Sequence, residues 1–243
     1  MHRCYLLLTL AVFLIAAVSV PSELHAQLRR PPKGPALTEP PKDDLNYLFM
    51  GEFVGEIKGD DGETQRLGLQ IRPVGKDQFD AVSFVGGLPG QDDHETTPVR
   101  MIGQRNEDFL VLSGGPWAIF VEQDACTLLS RQGEKIGRLE RIHRTSPTLG
   151  ARPPQDAVVL FDGSSTDQFS KAEMTEDGLL KEGADVKPMF QDFNLHAEFR
   201  LPYMPEASDQ QRGNSGLYLQ SRYECQILDS FTQDPVFNGC GAL

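Results

Sequence analysis

Beyond Val20 the chain has no apolar run approaching the twenty or so residues that a membrane-spanning helix needs. It is also poor in basic residues, with 23 Lys and Arg against 35 Asp and Glu, and the resulting net charge of −12 is spread along the chain with no basic stripe. A polyanion finds no partner surface on such a chain, so a nucleic-acid ligand is disfavoured. With four cysteines in 243 residues, a disulfide-dense small scaffold is excluded. Glycine-rich phosphate loops, zinc-ligand spacings, solenoid repeats and long amphipathic helical patterns are all missing. Asn214-Ser215-Gly216 lacks the leading glycine and the strand-to-helix turn that would activate Ser215 as a nucleophile.

What is present starts with an export pattern. Arg3 precedes an apolar stretch over residues 5–20, and Leu24-His25-Ala26 stands before Gln27 as a cleavage-like site. Residues 1–26 therefore read as a signal peptide. The mature chain is expected in the periplasm or outside the cell, with no stable membrane insertion once the signal is gone. Export permits disulfides, and Cys225 and Cys240 are near enough in sequence to close a small loop. The alternative is that Cys126, Cys225 and Cys240 are small buried hydrophobes. Residues 27–43 are proline-rich with little to bury and read as an extended leader.

Residues 44–145 change character. GEFVGEI, RLGLQIRPV, QFDAVSFVGG, DFLVLSGG, WAIFVEQ, CTLLSRQ and KIGRLERI are short, β-rich and separated by turn residues. That pattern predicts an all-β accessory domain, either a small barrel or a sandwich. Trp117 reads as core or as a sugar platform. His94 sits among Asp92, Asp93 and Glu95, a spacing that fits no metal-ligand set and reads as a solvated acidic loop.

A Pro- and Gly-containing break at 146–156 reads as a linker to a second β-patterned domain, 157–243. AVVLFDG predicts a strand ending in a turn at Asp162-Gly163. From Asp192 to Leu201 the chain alternates without a fault, placing Phe193, Leu195, Ala197, Phe199 and Leu201 on one face and Asn194, His196, Glu198 and Arg200 on the other. The segment 212–230 repeats the design. Arg212, Asn214, Tyr218, Gln220, Arg222, Glu224 and Gln226 share one parity, against Leu217, Leu219, Cys225 and Ile227 on the other. A hairpin loop with an odd number of residues around Ser221 to Tyr223 keeps both polar sets on one face, whereas a two-residue loop scrambles them, because a one-residue slip exchanges the faces. Asn, Gln, Tyr and Arg are side chains that bond and stack on sugars, whereas a merely wet face favours Lys, Glu and Thr.

VVLFDG (158–163), FNLHAEFRL (193–201), RGNSGLYLQSRYECQILDS (212–230) and GCGAL (239–243) together resemble the secreted 3-keto-disaccharide hydrolase domain family, with Phe169 where that family often has Trp. The resemblance implies the first part of a concanavalin A-like jelly-roll β-sandwich, with further strands expected beyond Leu243. It implies an oligosaccharide or oxidised glycoside as substrate, cleaved after a carboxylate takes the C2 proton that the C3 ketone acidifies. On this resemblance Glu224 or Glu198 is base or acid and His196 the proton partner. Arg212 and Asn214 steady the keto or enolate oxygen, Tyr218, Gln220 and Gln226 bind hydroxyls, and Asp229 braces the loop. No cofactor is implied. A divalent cation would find Asp, Glu and His on this face, but no ligand spacing commits to one. Two other readings stay open at this stage: a carbohydrate-binding module without turnover, and a glycosidase using Glu198 and Glu224 as its carboxylate pair.

Overall fold

The computed structural model describes residues 33–59, 61–91, 98–234 and 236–243. The expected signal at 1–26, the first part of the leader and His94 with its acidic neighbours lie outside them. Among the described residues there is no α-helix, and so none long and apolar enough to cross a membrane.

Eight antiparallel strands follow one another round a closed barrel: β1 (Gly51–Lys58), β2 (Thr64–Pro73), β3 (Gln78–Val85), β4 (Val99–Asn106), β5 (Phe109–Ser113), β6 (Ala118–Val121), β7 (Ala125–Leu129) and β8 (Lys135–Ile142). β8 returns to pair with β1, with Gly55 opposite Leu139. Closure leaves no free edge, so the barrel form of the expected accessory domain is the one adopted. Alternate residues point inward. Phe53, Ile57, Leu67, Leu69, Ile71, Phe79, Leu110, Leu112, Ile119, Leu128 and Leu139 fill the interior and are almost wholly buried. Each such side chain contributes about 1.5–3 kcal/mol by leaving water. Trp117 packs against this cluster and Cys126 lies inside it, where burial pushes its thiol well above the ordinary range.

The strand that the sequence hides is β4. Its inward positions include Gly103, which contributes no apolar side chain. The space a methyl group would need there is taken by Leu112 and Leu110, whose nearest methyls would stand 2.5 and 2.8 Å away. Neighbours fill the core on behalf of β4, so its own sequence loses the expected alternation.

β2 is buried on both faces from Leu67 to Pro73. Its outer side chains are covered separately. Gly68 lies under the Gly87–Leu88 backbone, Gln70 donates to Glu52 Oε1 at 2.8 Å, and Arg72 faces Asp80 at 3.6 Å, near Arg212 from the C-terminal part of the chain. Met204, Ala207, Arg212, Leu228 and Thr232 are all buried. From β4, Arg100 donates to the Thr232 carbonyl at 3.1 Å and pairs with Asp234 at 2.7 Å.

The leader is less extended and less free than its composition suggests. Leu37 and Tyr203 exchange both backbone hydrogen bonds, at 3.2 and 2.7 Å. Tyr203 Oη donates to Asp44 Oδ2 at 2.8 Å, and its ring meets Tyr47 edge-on at 5.3 Å. A short 3-10 turn at Tyr47–Phe49 then sets Phe49 against the barrel core, and Arg141 donates to the carbonyls of Met50 and Leu48 at 2.6 Å each. Backbone pairing and two tyrosines supply what the proline-rich composition does not advertise.

Within 157–243 the ladders are short. β9 (Phe169–Ser170) pairs with β10 (Asp185–Val186), and β11 (Asn214–Leu219) pairs with β12 (Tyr223–Leu228). The strands expected at AVVLFDG and at 192–201 are not formed. Residues 191–200 are exposed throughout, and Phe193, Leu195, Phe199, Val158 and Val159 stand in solvent. The alternating pattern specifies a face, but a strand also needs a neighbour to satisfy its ladder hydrogen bonds, and no described segment pairs with either run. The turn at Asp162 is formed, with Oδ1 accepting from the Ser164 amide at 3.0 Å and from its hydroxyl at 2.6 Å.

Candidate functional site

The hairpin β11–β12 has a three-residue loop, Gln220-Ser221-Arg222, and Gln220 and Ser221 adopt left-handed φ angles of 51° and 54°. The odd loop sets even residues opposite even ones: Tyr218 faces Glu224, Gly216 faces Gln226 and Asn214 faces Leu228. The odd length is the one parity favours, but the loop lies at 220–222 rather than at the expected 221–223, so Gln220 and Arg222 leave the strands and Tyr223 joins one. Leu217, Leu219, Cys225 and Ile227 occupy the other face, half-buried. The GCGAL segment runs beside β12, with Gln226 N–H donating to the Ala242 carbonyl and Gly241 N–H to the Gln226 carbonyl, both at 2.8 Å.

On the polar face, Glu224 is the centre. Tyr218 Oη donates to Glu224 Oε2 at 2.9 Å. Gln226, with its amide nitrogen turned toward Glu224, donates to Glu224 Oε1 at 3.2 Å and to the Ser215 carbonyl at 2.9 Å. Each carboxylate oxygen thus has a partner in the hairpin. The Tyr218 phenol is raised above its usual range because ionising it would lose the bond to Glu224 and set two negative charges together. Tyr218 is nonetheless 65 % exposed, so its ring and the carboxylate beside it meet solvent. Asn214 Nδ2 donates to the Gln210 carbonyl at 3.0 Å, which fixes the amide at the edge of this face.

Arg212 and Asp229 lie at the end of the hairpin remote from its loop, where the Asp229 N–H donates to the Gly213 carbonyl at 2.8 Å. Arg212 is 1 % exposed, and its guanidinium also donates to the Phe231 carbonyl at 2.8 Å. Burial is the chief influence lowering its basicity, followed by the nearby Arg72 charge, while Asp229 acts in the opposite direction. Gln220 stands in the loop at the hairpin tip and not on the strand face.

His196 and Glu198 form a separate group. His196 Nε2 is 3.2 Å from Glu198 Oε1, which also accepts the Gly150 N–H at 2.6 Å. The bond to His196 and the backbone donor from Gly150 hold the Glu198 carboxyl below its usual range. This pair shares no hydrogen bond or ion pair with the Tyr218–Glu224–Gln226 group among the described residues. Nor do three His, Cys, Asp or Glu side chains gather anywhere among those residues as a metal ion would require. Cys225 is half-buried, Cys240 exposed, and both are free thiols.

Two residues enter the site that parity did not select. Gln210, from a 3-10 turn at Asp209–Gln211, reaches the polar face from outside either strand. Gly216 is the gap in the even-numbered polar set, and the Glu224 carboxylate lies over it. The gap was visible as a glycine in a strand interior, a position that often marks close approach.

Residues 156–243 match the family model of the 3-keto-alpha-glucoside-1,2-lyase-like domain. The match includes the whole hairpin, with the residues that surround Glu224, and supports the family resemblance carried by the four sequence blocks. No curated protein and no solved structure matched the chain.

Proposed function

We propose that this protein is an exported enzyme that cleaves 3-keto glycosides by carboxylate-assisted elimination, with Glu224 as the base. The observation that carries the reading is the Glu224 carboxylate, held by Tyr218 and Gln226 on an open polar hairpin face inside the segment that matches a 3-keto-glucoside lyase-like family. A C3 ketone acidifies the hydrogen on C2. Glu224 takes that proton, and the electron pair of the C2–H bond becomes the enolate. The enolate collapses to a C1–C2 double bond as the C1–O bond breaks, and the departing oxygen takes up a proton. Water added across the double bond completes a net hydrolysis.

The remaining roles follow from position. Asn214, on the same polar face, is the amide assigned to the developing enolate oxygen, giving up one of its two bonds to Gln210 when the sugar binds. His196, 3.2 Å from the Glu198 carboxylate, is the acid assigned to the leaving oxygen. The exposed Tyr218 ring offers a sugar its flat face. Arg212 acts indirectly, by holding Asp229 and the Phe231 carbonyl where the second strand ends.

The test uses a 3-keto-disaccharide and its unoxidised parent, with release of the aglycone sugar as the readout. Cleavage of the keto sugar alone, lost in Glu224→Gln, is the expected result. Cleavage of the parent would instead make this a conventional glycosidase, and saturable binding without turnover would make it a sugar-binding module.

A further inference from the structure

Glycine in the interior of a strand weakens it unless something occupies the missing side chain's place. Gly216 has no left-handed backbone angle that would call for glycine. A methyl group on its Cα would stand 2.1 Å from Glu224 Oε1, 2.6 Å from Cγ and 2.8 Å from Cδ. Gly55 is crowded in a different way. There the obstructing atom, at the same 2.1 Å, is the Arg138 backbone carbonyl, so a side chain would force two strands apart. At Gly216 all three nearest atoms belong to one side chain on the diagonal position of the neighbouring strand.

We propose that Gly216 is a positioning residue for Glu224: its missing side chain is the space in which the Glu224 carboxylate lies, and it thereby sets where that carboxylate meets a bound sugar. The assignment rests on the reading of Glu224 as the base. Three neighbours complete the seat. Gly216 is its floor, Tyr218 grips one oxygen at 2.9 Å, and Gln226 grips the other at 3.2 Å. A methyl group on the floor lifts the carboxylate off both donors while leaving the hairpin ladder intact, since the obstructing atoms, from Cγ outward, belong to the Glu224 side chain and none to backbone.

The experiment has two arms on the full chain. In the first, which needs no substrate, ¹³C-labelled tyrosine is titrated by NMR in the wild type and in Gly216→Ala, with Tyr218→Phe used to assign the signal. Because Glu224 is what raises the Tyr218 phenol, the variant's Tyr218 is expected to ionise at lower pH than the wild type's. An unchanged titration would overturn the seat. In the second arm, Gly216→Ala is expected to lower kcat on a 3-keto-disaccharide about 100-fold with KM little changed, the order of loss for a reacting group displaced by about 1 Å. Glu224→Asp shortens the side chain by one methylene. It should impair the wild type yet restore part of kcat in the Gly216→Ala background, which a merely structural glycine would not allow. Losses that simply add, with no such rescue, would overturn the positioning role. A wild type inert towards every keto substrate, with the first arm as expected, would sink the lyase reading and the catalytic half of this proposal while leaving the seat established.

Discussion

Arg212 and Asp229 meet at the end of the hairpin remote from its loop, through a hydrogen bond from Nε to Oδ2 at 3.1 Å and an ion pair of 2.6 Å between Nη2 and Oδ1. The arginine is almost wholly buried, so removing its partner strands a charge out of water. Asp229→Ala is predicted to cost about 3–5 kcal/mol of unfolding free energy, the usual penalty for breaking a buried pair from one side. Urea denaturation measures it. A loss below about 1 kcal/mol, the scale of an exposed pair, would show that the pair does not hold the hairpin down.

The Tyr218–Glu224 bond makes a prediction about alkali. Tyr218's phenol is raised in the folded protein, so its contribution to stability is fully present below the unfolded tyrosine value, near 10, and disappears as pH rises through the folded one. Glu224→Gln removes the carboxylate's charge and should move Tyr218 ionisation to lower pH. Absorbance of tyrosinate, assigned by Tyr218→Phe, follows it, and no movement would mean that the two side chains do not meet in solution.

Glu198 runs in the opposite direction. Its carboxyl is depressed by His196 first and by the Gly150 N–H second, so its stabilising contribution is present above the unfolded glutamate value and is lost as pH falls through the lower folded one. His196→Ala should raise the Glu198 midpoint in an NMR titration. An identical midpoint in the variant would separate the pair.

Tyr203 ties the leader to the C-terminal half. Its hydroxyl donates to Asp44 in a partly buried setting, and hydrogen bonds to charged groups contribute about 1.5–3 kcal/mol. Tyr203→Phe is expected to lower unfolding free energy by that order, and Asp44→Asn by somewhat less because an amide oxygen still accepts. If neither substitution changes the denaturation midpoint, residues 33–50 do not brace the fold.

Thiol accessibility distinguishes the three cysteines. Cys126 is enclosed in the barrel with its thiol pushed up by burial, so it should react with an aromatic disulfide reagent only after unfolding. Cys240, exposed, should react fast, and Cys225 more slowly. Reaction of Cys126 in the native protein would contradict the closed barrel.

Much of the candidate site was legible because side-chain parity is a local property. Asn214, Tyr218, Glu224 and Gln226 fall on one face of β11–β12 for the same reason that Leu217 and Ile227 fall on the other. The odd loop length followed from requiring both sets to agree, and seven of the eight barrel strands announced themselves by β-rich runs between turn residues. β4 did not, since Gly103 lets Leu110 and Leu112 supply its share of the core.

Tertiary structure decided whatever depended on a neighbour. Arg212 has the parity of a binding residue, yet Asp229 and the Phe231 carbonyl hold it buried. Phe193 to Leu201 has a flawless strand pattern, but a ladder needs a second chain segment, and no described segment pairs with it, so residues 193–200 stay exposed. The leader offers little to a core, but Leu37 needed only the Tyr203 backbone to dock. Alternation along a chain determines which side chains can share a face; burial and pairing depend on what the rest of the fold brings against that face.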